Sequence, residues 1–518
     1  MRVLLCIVLG YLLARVSLPE ALPTPLWLLF VVVFALGSWL LLATSAMMLG
    51  LVAERVLEVF QRWTHENRQK RPRYLIPPLR LMAGLLGIVG GMPGLPARIH
   101  LAIADFHRGW GESAQALRAI SRRVSASKQP LERLRALDSL LEALAWRQQR
   151  QAFAVAFVTA ETQVRELLKA EGLTPSDSEG QRGHGLGTPE EEGRRERARG
   201  IERLLYPANL QRAVLAFRAG DFRDARHWMR RCEQYDAAEH AHLLLDAEAC
   251  ALEGHHDESF QFIRRARERA EAAATREGSM QQRLLELARA MQQKVRAGGG
   301  ELAVNPVGAM LREGGVPVAE ASSDLEALAE GIVAQANRNA LWDIAWCEIK
   351  AAFFLGEAAR IDHVLDSHRE LLEGAQPAAA TIRVQALIGR MLAACLRKQG
   401  HAVEAPYAKA LVDLRWERVH PSLRAEVPLL RGIGLVHRGM PEPALLKFDE
   451  IRGGPIEGRP PLYLALADAY SAWCLEKMGR ASEGIPHWKT AQQHLAEGTS
   501  LRALKLVKKI ARQADGRD

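Results

Sequence analysis

Apolar and small residues recur along most of this chain at spacings of three and four, interrupted by short polar turns. That rhythm predicts helices, and few runs have the alternation of a strand. Seven glycines fall in one shared context: Gly109, Gly220, Gly254, Gly356, Gly400, Gly439 and Gly479. Seven residues before each stand Ala102, Ala213, Ala247, Ile349, Ala393, Gly432 and Ala472, six of them small. After the glycine the best copies continue with apolar or small residues at +5, +9 and +12. Examples are Ala225, Met229 and Cys232 after Gly220, and Ala444, Phe448 and Ile451 after Gly439. The last copy reads Gly484, Trp488 and Ala491 after Gly479.

Each position has a physical reading. The glycine supplies the left-handed backbone that ends a first helix. The small residue before it lets a second helix approach closely. Positions +5, +9 and +12 lie on one face of that second helix. A pair of short helices cannot bury its apolar face alone, so such units must stack.

The order small residue, turn glycine, Ala, aromatic, Ala resembles the tetratricopeptide repeat. Gly220, Asp221, Phe222 and Ala225 carry the best match, and the 34 residues from Gly220 to Gly254 equal that family's period. The aromatic and Leu that open the family's first helix are absent; Asn209 and Arg212 stand there. Later intervals stretch to 44, 39 and 40 residues, which implies longer helices. A pair without a glycine is expected at about 129–171, with Gln149 at its turn. The fold expected is all-α: N-terminal transmembrane helices followed by a tetratricopeptide-like solenoid over roughly 95–500.

Residues 26–53 run from Leu26 to Ala53 without a charge, 28 residues and long enough to cross a bilayer. A shorter apolar run, 3–14, extended to about Leu22, makes a hairpin with it through the turn-rich stretch Pro19–Pro25. Residues 1–56 are therefore expected to be a membrane anchor. Arg55, Arg62, Arg68, Lys70, Arg71 and Arg73 follow. They predict a cytoplasmic end and contact between residues 1–80 and lipid. Leu81–Ala97 is uncharged but carries five glycines and two prolines. If it spans, the repeats lie outside the cytoplasm; if it packs on the first repeat, they lie inside. Its length and prolines favour the second reading.

Two breaks divide the repeats. Residues 172–199 are polar and low in complexity and are expected to be disordered. Residues 297–322 are rich in Gly and Pro, after which Ser323 and Glu326 make a capping-box pattern that restarts helix. The expected order is anchor 1–56, basic and Gly-rich segment 57–94, repeats 95–171, linker 172–199, repeats 200–296, linker 297–322 and repeats 323–518. A membrane hairpin, a basic collar and repeats together resemble the bacterial inner-membrane tetratricopeptide family associated with haem biosynthesis. The short connecting loop and the Gly-rich segment depart from that family, so a regulatory or haem-biosynthesis-associated membrane role is kept only as an alternative. Abundant Arg and Ala go with a GC-rich bacterial source. The expected location is the bacterial inner membrane, with cytoplasmic repeats.

The 518 residues are 48% hydrophobic, 6% aromatic and carry a net charge of +9. That charge admits lipid, nucleic acid or an acidic partner. Basic residues lack the interleaved aromatics of a single-strand platform, so no nucleic acid is expected. The six cysteines have no C-x-x-C spacing and read as small hydrophobes. No phosphate loop, H-E-x-x-H helix or nucleophile elbow occurs, so no enzyme activity, cofactor or metal is expected; an enzyme with an unrecognised site is the second alternative. His255, His256, Asp257 and Glu258 are the densest ligand-like run, and read as ordinary exposed residues after a turn.

The tetratricopeptide resemblance implies a concave groove lined by first helices that clamps acidic segments or C-terminal carboxylates. Counting back from each glycine, that groove takes in Arg218, Trp346, Lys350, Arg390, Arg397, Lys398, His437, Trp473 and Lys477. The function expected is a membrane-anchored scaffold that binds a partner protein there.

Overall fold

The computed structural model describes residues 32–33, 47–61, 75–89, 94–109, 112–174, 189–235, 239–273, 325–373, 380–397, 421–454 and 460–495. All regular structure among them is helical. The chain divides into two compact units, Met1–Ala143 and Leu144–Asp518.

In the first unit, a helix over 47–61 presents Ala53, Leu57 and Phe60 to a core. Ile76–Val89 adds Leu79, Ala83 and Leu86, and Leu95–Gly109 adds Leu95, Ile99 and Ile103. Spacings of three and four put each trio on one face. The rings of Phe60 and Phe106 lie 5.6 Å apart, and Arg98 bridges to Glu54 at 3.1 Å. Leu81–Ala97 is thus not one continuous helix. One helix ends at Val89 and another starts at Leu95 after Gly94, whose φ is +87°. Among the described residues no helix is long and apolar enough to cross a membrane. Most of the expected anchor, including 1–31 and 34–46, lies outside them.

The repeat register survives in three dimensions. Gly220, Gly254, Gly356, Gly439 and Gly479 all have positive φ, from +71° to +85°. Each makes the same pair of turn bonds. The glycine N–H donates to the carbonyl three residues back, and the next N–H reaches five residues back, as in Asp221 to Ala216 (3.0 Å), Glu357 to Ala352 (2.8 Å) and Arg480 to Leu475 (2.8 Å). This is the Schellman closure. The positions around it are interior. Ala213, Ala247, Ile349 and Ala472 are at most 1% exposed at −7, as are Ala225, Ile361 and Ala444 at +5. Ser259 takes the +5 place after Gly254, and its hydroxyl donates to the carbonyl of Ala247 at 2.8 Å.

Three expectations shift. Gly109 is the last residue of its helix, and the turn bond runs from Glu112 N–H to the carbonyl of His107. Counted from residue 111 the pattern returns, with Ala104, Ala116 and Ile120 buried at −7, +5 and +9. The glycine-free pair exists as Pro130–Trp146 and Arg150–Ala170, with its turn on Gln148 (φ +55°) rather than Gln149. The expected disordered stretch is helical from Pro189 to Glu202, where Glu, Arg and Ala favour helix despite the lack of apolar residues. Gly400 and the linker at 297–322 lie outside the described residues. Helix resumes at Leu325 and runs unbroken to Leu355.

Candidate functional site

The predicted groove residues separate into two groups by burial. Arg218, Trp346, Lys350 and Trp473 are interior, each at most 8% exposed. Arg218 lays its guanidinium 4.0 Å over the ring of Trp146. Lys350, on Leu325–Leu355, donates to Glu248, on Ala241–Glu253, at 2.7 Å, with both side chains nearly out of solvent. Arg218 and Lys350 thus join one helix pair to another, while Trp346 and Trp473 are packed in the interior. His437 is half-buried, with its ring edge-on to Phe353 at 6.1 Å. Arg390, Arg397 and Lys477 are exposed. Arg397 pairs with Asp362, and the Lys477 ammonium stands 5.7 Å above the Trp473 ring. Lys398 lies outside the described residues.

Three polar clusters form in the fold, and the buried carboxylates at the centre of the first two were not visible in the sequence because their partners come from other helices. The first surrounds Glu348, which is 5% exposed. Arg267 donates to one carboxylate oxygen at 2.8 Å and Arg360 to the other at 2.9 Å. Arg360 also sits 3.5 Å over the ring of Phe260. Beside it His256 bonds Glu357, which raises the His256 pKa. His256, Asp257, Phe260, Arg264, Arg267, Glu348 and Arg360 line a cleft of about 410 Å³. It lies between the second helix of the Gly254 pair and the first of the Gly356 pair.

The second cluster surrounds Asp468, 3% exposed in the middle of Pro461–Lys477. It accepts from Arg452 at 2.9 Å and contacts His487 at 2.9 Å and His494 at 3.4 Å. Arg452 also donates to the Ser471 hydroxyl at 2.5 Å. Each buried carboxylate is thereby matched by at least one guanidinium, as burial of charge requires.

The third is at the Gly254 turn. Cys250 is 1% exposed, and its thiol is pushed up to about 11 by burial, with Arg226 opposing. His255 and Glu258 close on it from beyond the turn. Cys232, Cys250, Cys347 and Cys474 are buried thiols outside any disulfide.

No protein-family model matches the chain, and no curated protein matches it significantly.

Proposed function

We propose that the chain is a membrane-anchored helical-repeat scaffold of tetratricopeptide type, which holds a partner protein through exposed cations on its C-terminal repeats. The observation that carries this reading is the recurrence of one closed turn at five glycines, with the same −7 and +5 positions interior each time. Stacked pairs of this kind spend their apolar faces on each other and leave an extended surface for a ligand chain.

Anchoring is supported by Leu26–Ala53 and by the helix that continues it. Met47, Met48, Leu51 and Val52 are between 43% and 63% exposed. Four large apolar side chains presented to water within six residues are costly, and acyl chains remove that cost. The two helices Ile76–Val89 and Leu95–Gly109 share a core with that same helix. This favours Leu81–Ala97 as a packed segment rather than a crossing, and so repeats on the side of the basic collar, the cytoplasmic side of a bacterial inner membrane.

For the partner, the surface positions are Arg390, Arg397 and Lys477, with His437 half-buried. Arg218, Trp346, Lys350 and Trp473 form the packed floor beneath. Exposed cations recognise acidic segments or a terminal carboxylate by charge-assisted hydrogen bonds. Full-length protein in detergent should bind an acidic peptide with a free C-terminus, and bind it less as salt rises. Changing Arg390, Arg397 and Lys477 together to Glu should abolish binding while helical content stays. Equal binding by this variant, or binding of nucleic acid in place of peptide, would overturn the reading. Retention in the membrane fraction after alkaline extraction, lost on replacing Leu51 and Val52 with Lys, tests the anchor.

A further inference from the structure

The Gly254 turn carries a set of side chains that the scaffold reading leaves unused. Cys250 lies in the last turn of the first helix of that pair, His255 follows the glycine, and Glu258 lies in the first turn of the second helix. The Schellman closure brings them together, because His255 N–H bonds the carbonyl of Cys250 itself at 2.8 Å. Cys250 Sγ, His255 Nδ1 and a Glu258 carboxylate oxygen all lie within 4.8 Å of one another. The Sγ to Oε2 separation is 3.7 Å and the Nδ1 to Oε2 separation is 3.6 Å. A tetrahedral zinc ion with bonds of about 2.0–2.3 Å has ligand–ligand edges of roughly 3.3–3.5 Å. The two edges to Glu258 need close by only a few tenths of an ångström, and the edge between Cys250 and His255 starts within 4.8 Å.

We propose that Cys250, His255 and Glu258 form a binding site for a zinc-class divalent cation that staples the two helices of this repeat. The donor set is thiolate, imidazole and carboxylate, which suits zinc and cobalt and disfavours the all-oxygen preference of calcium and magnesium. His255 and Glu258 are 51% and 62% exposed, so the fourth coordination position faces solvent and takes water. Charge closes as well. On binding, the Cys250 thiol gives its proton to solvent, and thiolate plus the Glu258 carboxylate balance the dication. Arg226 lies 3.6 Å from Sγ, but it is already engaged by Glu253, and that pair is neutral by itself. Glu253 stands 3.9 Å from His255 Nδ1, beyond hydrogen-bond distance, and its charge is taken up by Arg226.

The test is titration of metal-stripped full-length protein with cobalt. One equivalent should produce a thiolate-to-cobalt charge-transfer absorption that zinc displaces and excess calcium or magnesium does not. Cys250→Ser should remove the absorption, and His255→Ala and Glu258→Gln should each weaken cobalt binding by at least about 10–100-fold, the cost of losing even a partner in the outer shell of a metal site. The exposed positions of the last two let them fold whether or not Cys250→Ser does. No absorption at one equivalent, absorption that persists in Cys250→Ser, or unchanged affinity in both His255→Ala and Glu258→Gln would overturn the proposal.

Discussion

Phe448 fills the space where a side chain on residue 432 would stand. A Cβ built on Gly432 would fall 2.3 Å from Phe448 Cε1 and 2.7 Å from Cζ. Gly432 is the −7 position of the Gly439 turn and Phe448 its +9 position. The ring has little freedom to withdraw, since it is fully buried and stacked on Tyr470 at 5.8 Å. Gly432→Ala gains about 1 kcal/mol of helix propensity. It costs about 1–3 kcal/mol in overpacking, and at this distance the overpacking wins. The variant should melt several degrees lower. In a Phe448→Leu background the same Gly432→Ala change should stabilise instead, because the shorter side chain frees the space. Additive losses in the double variant would contradict the contact.

The one closed turn without glycine should be improvable. Gln148 sits at φ +55°, and its side-chain Oε1 is buried with no hydrogen-bond partner among the described residues. Its Nε2 does donate to the carbonyl of Ala145 at 3.1 Å. A left-handed non-glycine residue costs on the order of 1–2 kcal/mol, against a net value of about 1 kcal/mol for that hydrogen bond. Gln148→Gly removes the strain and the unpaired oxygen together, so stability should rise by about 1 kcal/mol. Chemical denaturation of the two proteins side by side measures the difference, and a lower midpoint for the glycine variant would refute it.

These two sites also mark how far the sequence could be read. The turns were legible because a left-handed residue leaves a chemical trace, glycine, and because −7, +5 and +9 are fixed by helix geometry. Where glycine was absent, at Gln148, the helix pair could still be placed but its turn fell one residue off. At Gly109 the −7, +5 and +9 spacing sits two residues early, since burial of Ala104, Ala116 and Ile120 counts from residue 111. The groove was less legible. Counting back from the turns treated Lys350 as available to a partner, yet it pairs with Glu248, 102 residues away. Glu348 and Asp468 gave no signal, since their partners come from other helices; His255 and Glu258 stood out as part of a ligand-like run, but nothing in the run pointed back across the turn to Cys250.

Glu348 should act as a clasp between repeats. It binds Arg267 from one pair and Arg360 from the next, and it is itself almost fully buried. Hydrogen bonds to charged groups contribute roughly 1.5–3 kcal/mol. The two arginines are 38–45% exposed, so water recovers part of their loss. Glu348→Ala should therefore destabilise by about 1–3 kcal/mol. Because the carboxylate is shielded, most of that difference should persist from about 0.1 to 1 M salt. A difference that vanishes at high salt would place the carboxylate in solvent instead.

Removing the charge of Asp138 should make the first unit more stable, by an amount that grows from about pH 4 and is complete above pH 7. Burial pushes its carboxyl up to about 7, and its Oδ1 has no hydrogen-bond partner among the described residues. An Asp whose folded pKa lies above its unfolded value of 3.8 disfavours folding wherever the unfolded chain is ionised. The cost is absent below pH 4, grows between 4 and 7, and is complete above 7. Three pKa steps correspond to about 4 kcal/mol, and partial contact with water reduces this to about 2–4 kcal/mol. Asp138→Asn keeps the shape and abolishes the titration. Its gain over wild type should be near zero at pH 4 and full at pH 8. The comparison must be made pairwise at each pH, because burial also depresses His100 and His242 to about 4. Those two histidines weaken both proteins alike as pH falls from 6.5 to 4, and the pairwise difference cancels them. A gain independent of pH would show that Asp138 is not held protonated in the folded chain.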